Sequence, residues 1–437
     1  MSDLFDIQSL VQKRIPSRVF TGFAPDDPGE VPANVADNAP FSESNDAVKG
    51  GFDVDISFKD VITLLPKASY RSAAVKNKNV EEDGTTIDRD RAESVLEGAD
   101  IDTSALPDSD PDRDNEYDPL SGYRVIVDPR REALAALLDR PVNYTWTVKT
   151  NRYTIHNPRE IFEPLVATFT RKAERNVFGW FELRKWGGRV DIYLLFPDYV
   201  IPTPDGSEDL YNGIHVTYEH TGRSSVYCTQ FAYEPGDGNR HYLDEPSLRK
   251  EHRGSTTRSD YRAFYDDVHS QLVAEEDSSL AQTIKEASTT TLDFSKRDYS
   301  LEEFYAYHDL GTYAEDAAER AEAHSAGDDI YTFWTIYYGM IQELNDSYQG
   351  DNMGGQQYST YAEITASFLR SPEAVTEEAE EMYRLENDPN FSQEDLYHGS
   401  SPSANANVPG FSTEDELDMS DRIETVTDKQ STLGAEF

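Results

Sequence analysis

Between residues 140 and 190 the sequence gathers ten basic side chains: Arg140, Lys149, Arg152, Arg159, Arg171, Lys172, Arg175, Arg184, Lys185 and Arg189. Four acidic ones share the stretch, Glu160, Glu163, Glu174 and Glu182. Three of the four tryptophans lie there too, Trp146, Trp180 and Trp186, with Tyr144, Tyr153 and Phe178. Cations for phosphates and flat rings for unstacked bases are what a single-stranded nucleic acid requires. Arg171 and Arg175 are four apart and share a helix face. Arg184 and Lys185 are adjacent on a strand and face opposite sides, which divides the strip. The inert alternative makes the aromatics core and pairs the arginines with acidic helices. The candidate nucleic-acid contacts are Arg171, Lys172, Arg175, Arg184, Lys185 and Arg189 for phosphates, and Trp146, Trp180 and Trp186 for bases.

Other chemistry has weaker support. His215 and His220 are five apart, which puts them on opposite strand faces or His220 in a turn. His252 sits in a charged stretch. There is no His-Glu-x-x-His, Cys-x-x-Cys, Gly-x-Ser-x-Gly, Gly-x-Gly-x-x-Gly or phosphate-binding Gly-Lys-Ser/Thr pattern, so no metal and no cofactor is expected. The alternation Asp108, Asp110, Asp112, Asp114 would need glycine at position six and glutamate at position twelve of a calcium loop; Arg113 and Pro119 stand there. Cys228, the single cysteine, lies among strand residues and reads as a buried, inert thiol. Carboxylates are too abundant to single out a catalytic pair, and catalytic residues stay unassigned.

The elements that must carry these groups follow from local patterns. Strands are expected at 123–127, 144–148, 153–155, 177–186, 190–196, 213–218 and 224–233, with Gly187-Gly188 turning one hairpin. Asp128-Pro129 and Asn157-Pro158 open helices, cap followed by proline. Beyond 261 the pattern is helical: a long amphipathic segment over 261–284, capping boxes at Ser300–Glu303 and Thr312–Glu315, an aromatic-rich helix over 330–344, and another start at Ser371-Pro372. Gly350 to Gly355 reads as an interhelical loop. The expected class is α+β: a mostly antiparallel sheet with packed helices, a helical C-terminal half and disordered flanks.

The 437 residues carry 83 acidic and 40 basic side chains, a formal net charge of −43. Arginine outnumbers lysine 27 to 13. Acidic excess with few lysines resembles proteins of salt-in halophilic archaea, where salt screens self-repulsion and carboxylates hold water. The charge is uneven: residues 1–80 stand at −2, 81–120 at −12, 121–262 at +1 and 263–437 at −30. These shifts divide the chain into an N-terminal arm (1–80), an acidic disordered linker (81–120), an α+β core (121–386) and a disordered acidic tail (387–437). The start has no basic or apolar leader region, and no apolar run approaches a membrane span. A cytoplasmic or virion-packaged protein without a membrane partner is expected.

Four places resemble the uncharacterised phage- and plasmid-associated family called domain of unknown function 932. These are Asn151–Phe162, Gly187–Tyr193, Glu219–Cys228, and His252–Gly254 with the helix around Phe333–Tyr338. Glu219-His220-Thr221-Gly222 stands where the family has Ser-His-Asp-Gly, and Gln230 where it has asparagine. The resemblance implies a mobile-element setting rather than a reaction. The resulting expectation is an accessory protein of a haloarchaeal virus or plasmid that binds single-stranded DNA or RNA. Two alternatives stay open: a virion-structural or interaction protein, self-associating or docking on other viral or plasmid proteins, and an enzyme with a dispersed site.

Overall fold

The computed structural model describes residues 10–26, 31–36, Phe41, 56–76 and 117–391, with short internal interruptions. Residues 81–93 and 95–116 of the expected linker and 392–437 of the expected tail lie outside the described residues, so the disorder anticipated there does too. The fold is α+β with antiparallel sheets. Residues 1–379 form one compact unit, and a second begins at Glu380.

Apart from a single helical turn at Ala33–Ala36, the elements in chain order are β1 (Ile15–Thr21), α1 (Phe58–Leu64), β2 (Ser69–Lys76), β3 (Tyr117–Val127), α2 (Pro129–Leu137), β4 (Thr145–Thr150) and α3 (Pro158–Arg171). Then come β5 (Phe178–Arg184), β6 (Arg189–Pro202), β7 (Asp209–Glu219), β8 (Ser225–Tyr233) and β9 (Arg240–Glu251). The remainder is α4 (Arg258–Val268), α5 (Ser279–Thr289), β10 (Thr291–Asp293), α6 (Leu301–Tyr307), α7 (Ala314–Ala323), β11 (Ile330–Thr332), α8 (Phe333–Gln349), α9 (Gly355–Arg370) and α10 (Pro372–Asn387).

The main sheet runs β1-β5-β6-β7-β8-β9, all neighbours antiparallel. The segment read as an arm therefore supplies an edge strand, β1, on β5. It also supplies β2 to a small sheet ordered β2-β3-β4. One face of the main sheet packs on α1 to α4. Phe181, Ile192, Val216 and Cys228 meet Phe58, Leu134, Phe162, Phe169 and Tyr265 in one core. Each of these fully buried side chains contributes ~1.5–3 kcal/mol by leaving water. The other face holds Trp180, Tyr193, Phe231 and Tyr233 with Phe41, and α8 and α9 pack against β9.

Local chemistry sets the helix starts. Asp128 caps α2 by accepting from the Arg130 N–H at 2.9 Å, with Pro129 in the first turn. At α3 the Glu160 carboxylate accepts from the Asn157 N–H, while Asn157 Oδ1 accepts from the Ala68 N–H at 2.8 Å, so this cap also ties the approach to β2. Ser300 and Glu303 form the expected reciprocal box. The box expected at Thr312–Glu315 does not form: Thr312 lies in a 3₁₀ turn, and Tyr313 precedes α7 without a side-chain cap. Tyr153–Ile155 is irregular rather than a strand. The long helix expected over 261–284 is two helices, with a π turn at His269–Val273 after the first. Ile330–Thr332 pairs as a short strand before α8 begins.

One glycine is obligatory for the sheet. A Cβ on Gly179 would sit 1.9 Å from the Tyr193 carbonyl oxygen, so β5 and β6 reach their spacing there only with glycine.

Candidate functional site

The basic strip is not one surface. Arg171 ends α3 and Lys185 follows β5, so they flank opposite ends of a seven-residue strand, about 20 Å apart. At the first end Arg171 pairs with Asp266 of α4 at 2.6 Å, and Lys172 is exposed. Arg175 lies outside the described residues.

β5 is buried on both faces, and burial or ion pairing occupies four strip residues: Trp180 and Arg184 on β5, Arg189 on β6 and Trp146 on β4. Trp180 is 2% exposed, stacked on Tyr193 at 4.5 Å with Phe41 and Tyr233 against it, so it has no face for a base. Arg184 and Arg189 point to that same interior side. Arg184 pairs with Glu182 at 2.7 Å and Asp191 at 3.3 Å, and Arg189 with Asp191 at 3.0 Å, so neither is free for phosphate. Trp146, 8% exposed, stacks on the His220 ring at 5.3 Å and covers Gly188, where a Cβ would come within 2.8 Å of the indole. It braces the hairpin end of the sheet.

Asp191 organises the interior. Register places Glu182 opposite Asp191 and Arg184 opposite Arg189, like beside like, so ion pairs form along the strands and diagonally. His215 Nε2 and Thr217 Oγ1, both from β7, lie 3.0 Å from Asp191 Oδ1. Burial works against the carboxylate, but Arg189, the His215 hydrogen bond and Arg184 outweigh it and hold Asp191 well below the usual carboxylate range. Burial is the leading effect on His215 and lowers its pKa despite Asp191, so the ring is neutral near pH 7. Its ring stacks on Tyr193 at 4.3 Å.

His220 follows the end of β7 at Glu219, in the turn that the five-residue spacing allowed, and packs against Tyr218. It is 1% exposed, with the Tyr153 hydroxyl 3.2 Å from Nδ1 and the Tyr218 hydroxyl on Nε2. Burial, then the neighbouring His156 and Lys149, push its pKa down to about 3. Cys228 is buried in the helix-facing core, and burial pushes its thiol pKa up.

The exposed part of the strip is the turn after β5. Lys185 and Trp186 have φ of 52° and 55°, the left-handed region, followed by Gly187 at 82°. The turn is held from three sides: Trp186 N–H donates to Lys13 O at 3.0 Å, Trp146 Nε1 donates to Trp186 O at 2.9 Å, and His220 N–H donates to Gly188 O at 2.8 Å. Lys13 Nζ sits 5.7 Å over the half-buried Trp186 ring. Lys185 Nζ reaches Glu219 at 3.3 Å, and Lys149, on the adjacent β4, lies 5.5 Å over Tyr153. Burial lowers the Lys149 pKa, offset in part by Glu219.

The interior side holds residues that the strip did not suggest: Asp191, His215, Arg240, Tyr242, Tyr348 and Tyr358. Arg240 and Tyr242 alternate on β9, and Tyr348 and Tyr358 come from α8 and α9. The mirrored Glu182-x-Arg184 and Arg189-x-Asp191 around Gly187-Gly188 is a sequence signal for the strand pairs, because charges two apart share a face. Nothing in the sequence brings the two helical tyrosines to them.

Among the described residues no helix is long and apolar enough to cross a membrane. No protein-family model matches the chain, and no curated protein or solved structure is significantly similar to it, so the resemblance to domain of unknown function 932 rests on the quoted residues alone.

Proposed function

We propose that this protein binds single-stranded nucleic acid at the end of the main sheet that carries the 185–188 turn, as an accessory protein of a haloarchaeal virus or plasmid. The supporting observation is the turn itself. A lysine and a tryptophan occupy successive left-handed positions, each at a cost of roughly 1–2 kcal/mol relative to ordinary backbone. Such strain persists where the surroundings enforce it, and it concentrates at functional sites. Here it presents Lys185 outward beside Trp186, with Lys13 and Lys149 close by. The lysines contact phosphates and the Trp186 ring meets a base.

The test is a titration of the full chain with single- and double-stranded oligonucleotides across salt concentration. Single-strand binding is expected, with the triple change Lys13→Gln, Lys149→Gln and Lys185→Gln flattening the log–log salt dependence by about 2. Trp186→Ala should weaken binding by ~1–3 kcal/mol. A folded protein that binds no single strand at low salt overturns the proposal.

A further inference from the structure

β9 opens with Arg240, a side chain almost entirely enclosed at 5% exposure. Its guanidinium lies over three rings: Tyr193 of β6 at 5.3 Å, Tyr348 of α8 at 5.2 Å and Tyr358 of α9 at 5.4 Å. Among the described residues it has neither a carboxylate partner nor a side-chain hydrogen bond. Arginine presents five N–H donors, and an arginine buried to this degree is ordinarily paired.

The charge count of the surroundings isolates Arg240. Arg184 shares the Tyr348 ring with it, at 5.3 Å on its own side, but Arg184 and Arg189 are matched by Glu182 and Asp191. His215 is neutral near pH 7. Among the described residues three guanidiniums thus face two carboxylates, which leaves one positive charge without a carboxylate there. Burial works against that charge, but a guanidinium is too basic to lose its proton inside a protein, so the group cannot escape by neutralising. Cation–π contacts return ~0.5–2 kcal/mol each but satisfy none of the in-plane N–H donors. A single oxyanion would satisfy them bidentately and cancel the excess charge.

We propose that Arg240, walled by Tyr193, Tyr348 and Tyr358, is a binding site for one oxyanion group, a carboxylate or a phosphate, carried by a small ligand. It is separate from the 185–188 turn: Arg240 opens β9 at the strand end paired with Tyr233, whereas Lys185 follows β5 at the other end of the sheet, where Arg184 pairs with Arg189, Arg189 with Glu219, and Ser225 with Glu251.

The experiment is thermal unfolding of the full chain at fixed ionic strength, set with the sodium salt of an anion too large to enter the site, titrating sodium acetate in one arm and sodium phosphate in the other. A saturable rise in Tm in either arm is expected, and the responding arm identifies the oxyanion. Arg240→Met should abolish the rise while leaving the anion-free Tm unchanged or higher, because an apolar side chain of similar length removes an uncompensated charge. Arg240→Lys, which keeps the charge but loses the planar fork, should weaken the response at least tenfold in half-saturating concentration and serves if the Met variant does not fold. No saturable response in either arm overturns the proposal. So does an equal response in Arg240→Met or Arg240→Lys, or a lowered anion-free Tm in Arg240→Met, which would mark Arg240 as a purely structural cation.

Discussion

Acid should destabilise this protein well above the range where its carboxylates titrate, and His220 supplies a measurable share. The ring is 1% exposed, clamped between the Tyr153 and Tyr218 hydroxyls and stacked on Trp146. In the folded chain its pKa is pushed down to about 3, against 6.5 when unfolded. A depressed folded value means that the unfolded state binds the proton first. The stability is fully present above 6.5 and is lost progressively as pH falls from there towards 3. At pH 5 the loss from this one group is ~2 kcal/mol, from 1.36 kcal/mol per unit over one and a half units. Urea denaturation at pH 7, 6 and 5 in molar salt measures it. His220→Gln cannot titrate, so its stability should depend on pH less steeply than wild type by ~1.3 kcal/mol per unit near pH 5. His308, lowered to about 4 by burial, and His215 titrate in both proteins and cancel from the comparison. Equal slopes in the two proteins would refute the buried, neutral assignment of His220, whatever the substitution costs at pH 7.

Three further outcomes follow from particular contacts. Asp191→Asn should cost ~3–5 kcal/mol in urea denaturation, because it leaves Arg184 and Arg189 without the charge between them; a loss under 1 kcal/mol would show that the network does not depend on Asp191. Lys185→Asn should raise stability by ~0.5–1 kcal/mol, since asparagine tolerates the left-handed region better, while weakening single-strand binding; unchanged binding would remove Lys185 from the site. Gly179→Ala should cost more than ~3 kcal/mol or abolish folding, whereas Gly311→Ala, whose new Cβ meets nothing nearer than 3.5 Å, should stay within ~0.5 kcal/mol of wild type by thermal melt.

What the sequence makes legible here is what local chemistry decides. Asp128-Pro129, Asn157-Pro158, Ser300 with Glu303, and Ser371-Pro372 each mark a helix start because the cap and its partner lie within a few residues. Thr312–Glu315 has the same spacing and fails, since the chain enters a 3₁₀ turn first and the helix begins two residues later. The hairpin at Gly187-Gly188 is present, but its turn takes in Lys185 and Trp186, whose left-handed backbone comes from contacts with Lys13 and Trp146 that are distant in sequence. β9 is hidden by Asp244-Glu245-Pro246 in its middle, residues that argue against a strand. Trp180, Arg184 and Arg189 lie in the interior rather than at a surface for one physical reason. Alternation separates inside from outside only when one face of a sheet is wet. Arg184 and Arg189 sit on a face that helices cover, where charge survives because Glu182 and Asp191 meet it. Trp180 looks the same in sequence whether it stacks on a base or on Tyr193.

Salt separates the two sites physically. At molar ionic strength the screening length falls to ~3 Å, so exposed pairs such as Arg171 with Asp266 and Lys185 with Glu219 lose most of their attraction. The same screening acts on any phosphate held by Lys13, Lys149 and Lys185. A nucleic acid at the 185–188 turn must then draw much of its affinity from the Trp186 ring, whose stacking is not coulombic. The interior network is different. Asp191 and Arg240 are removed from solvent, so mobile ions do not intervene between them and their neighbours. An oxyanion at Arg240 would keep its attraction in brine, although chloride at molar concentration would compete for the same donors. Rising salt should therefore weaken the turn by screening and the arginine site only by competition. Replacing chloride with an anion too large to enter at constant ionic strength restores the second and leaves the first unchanged.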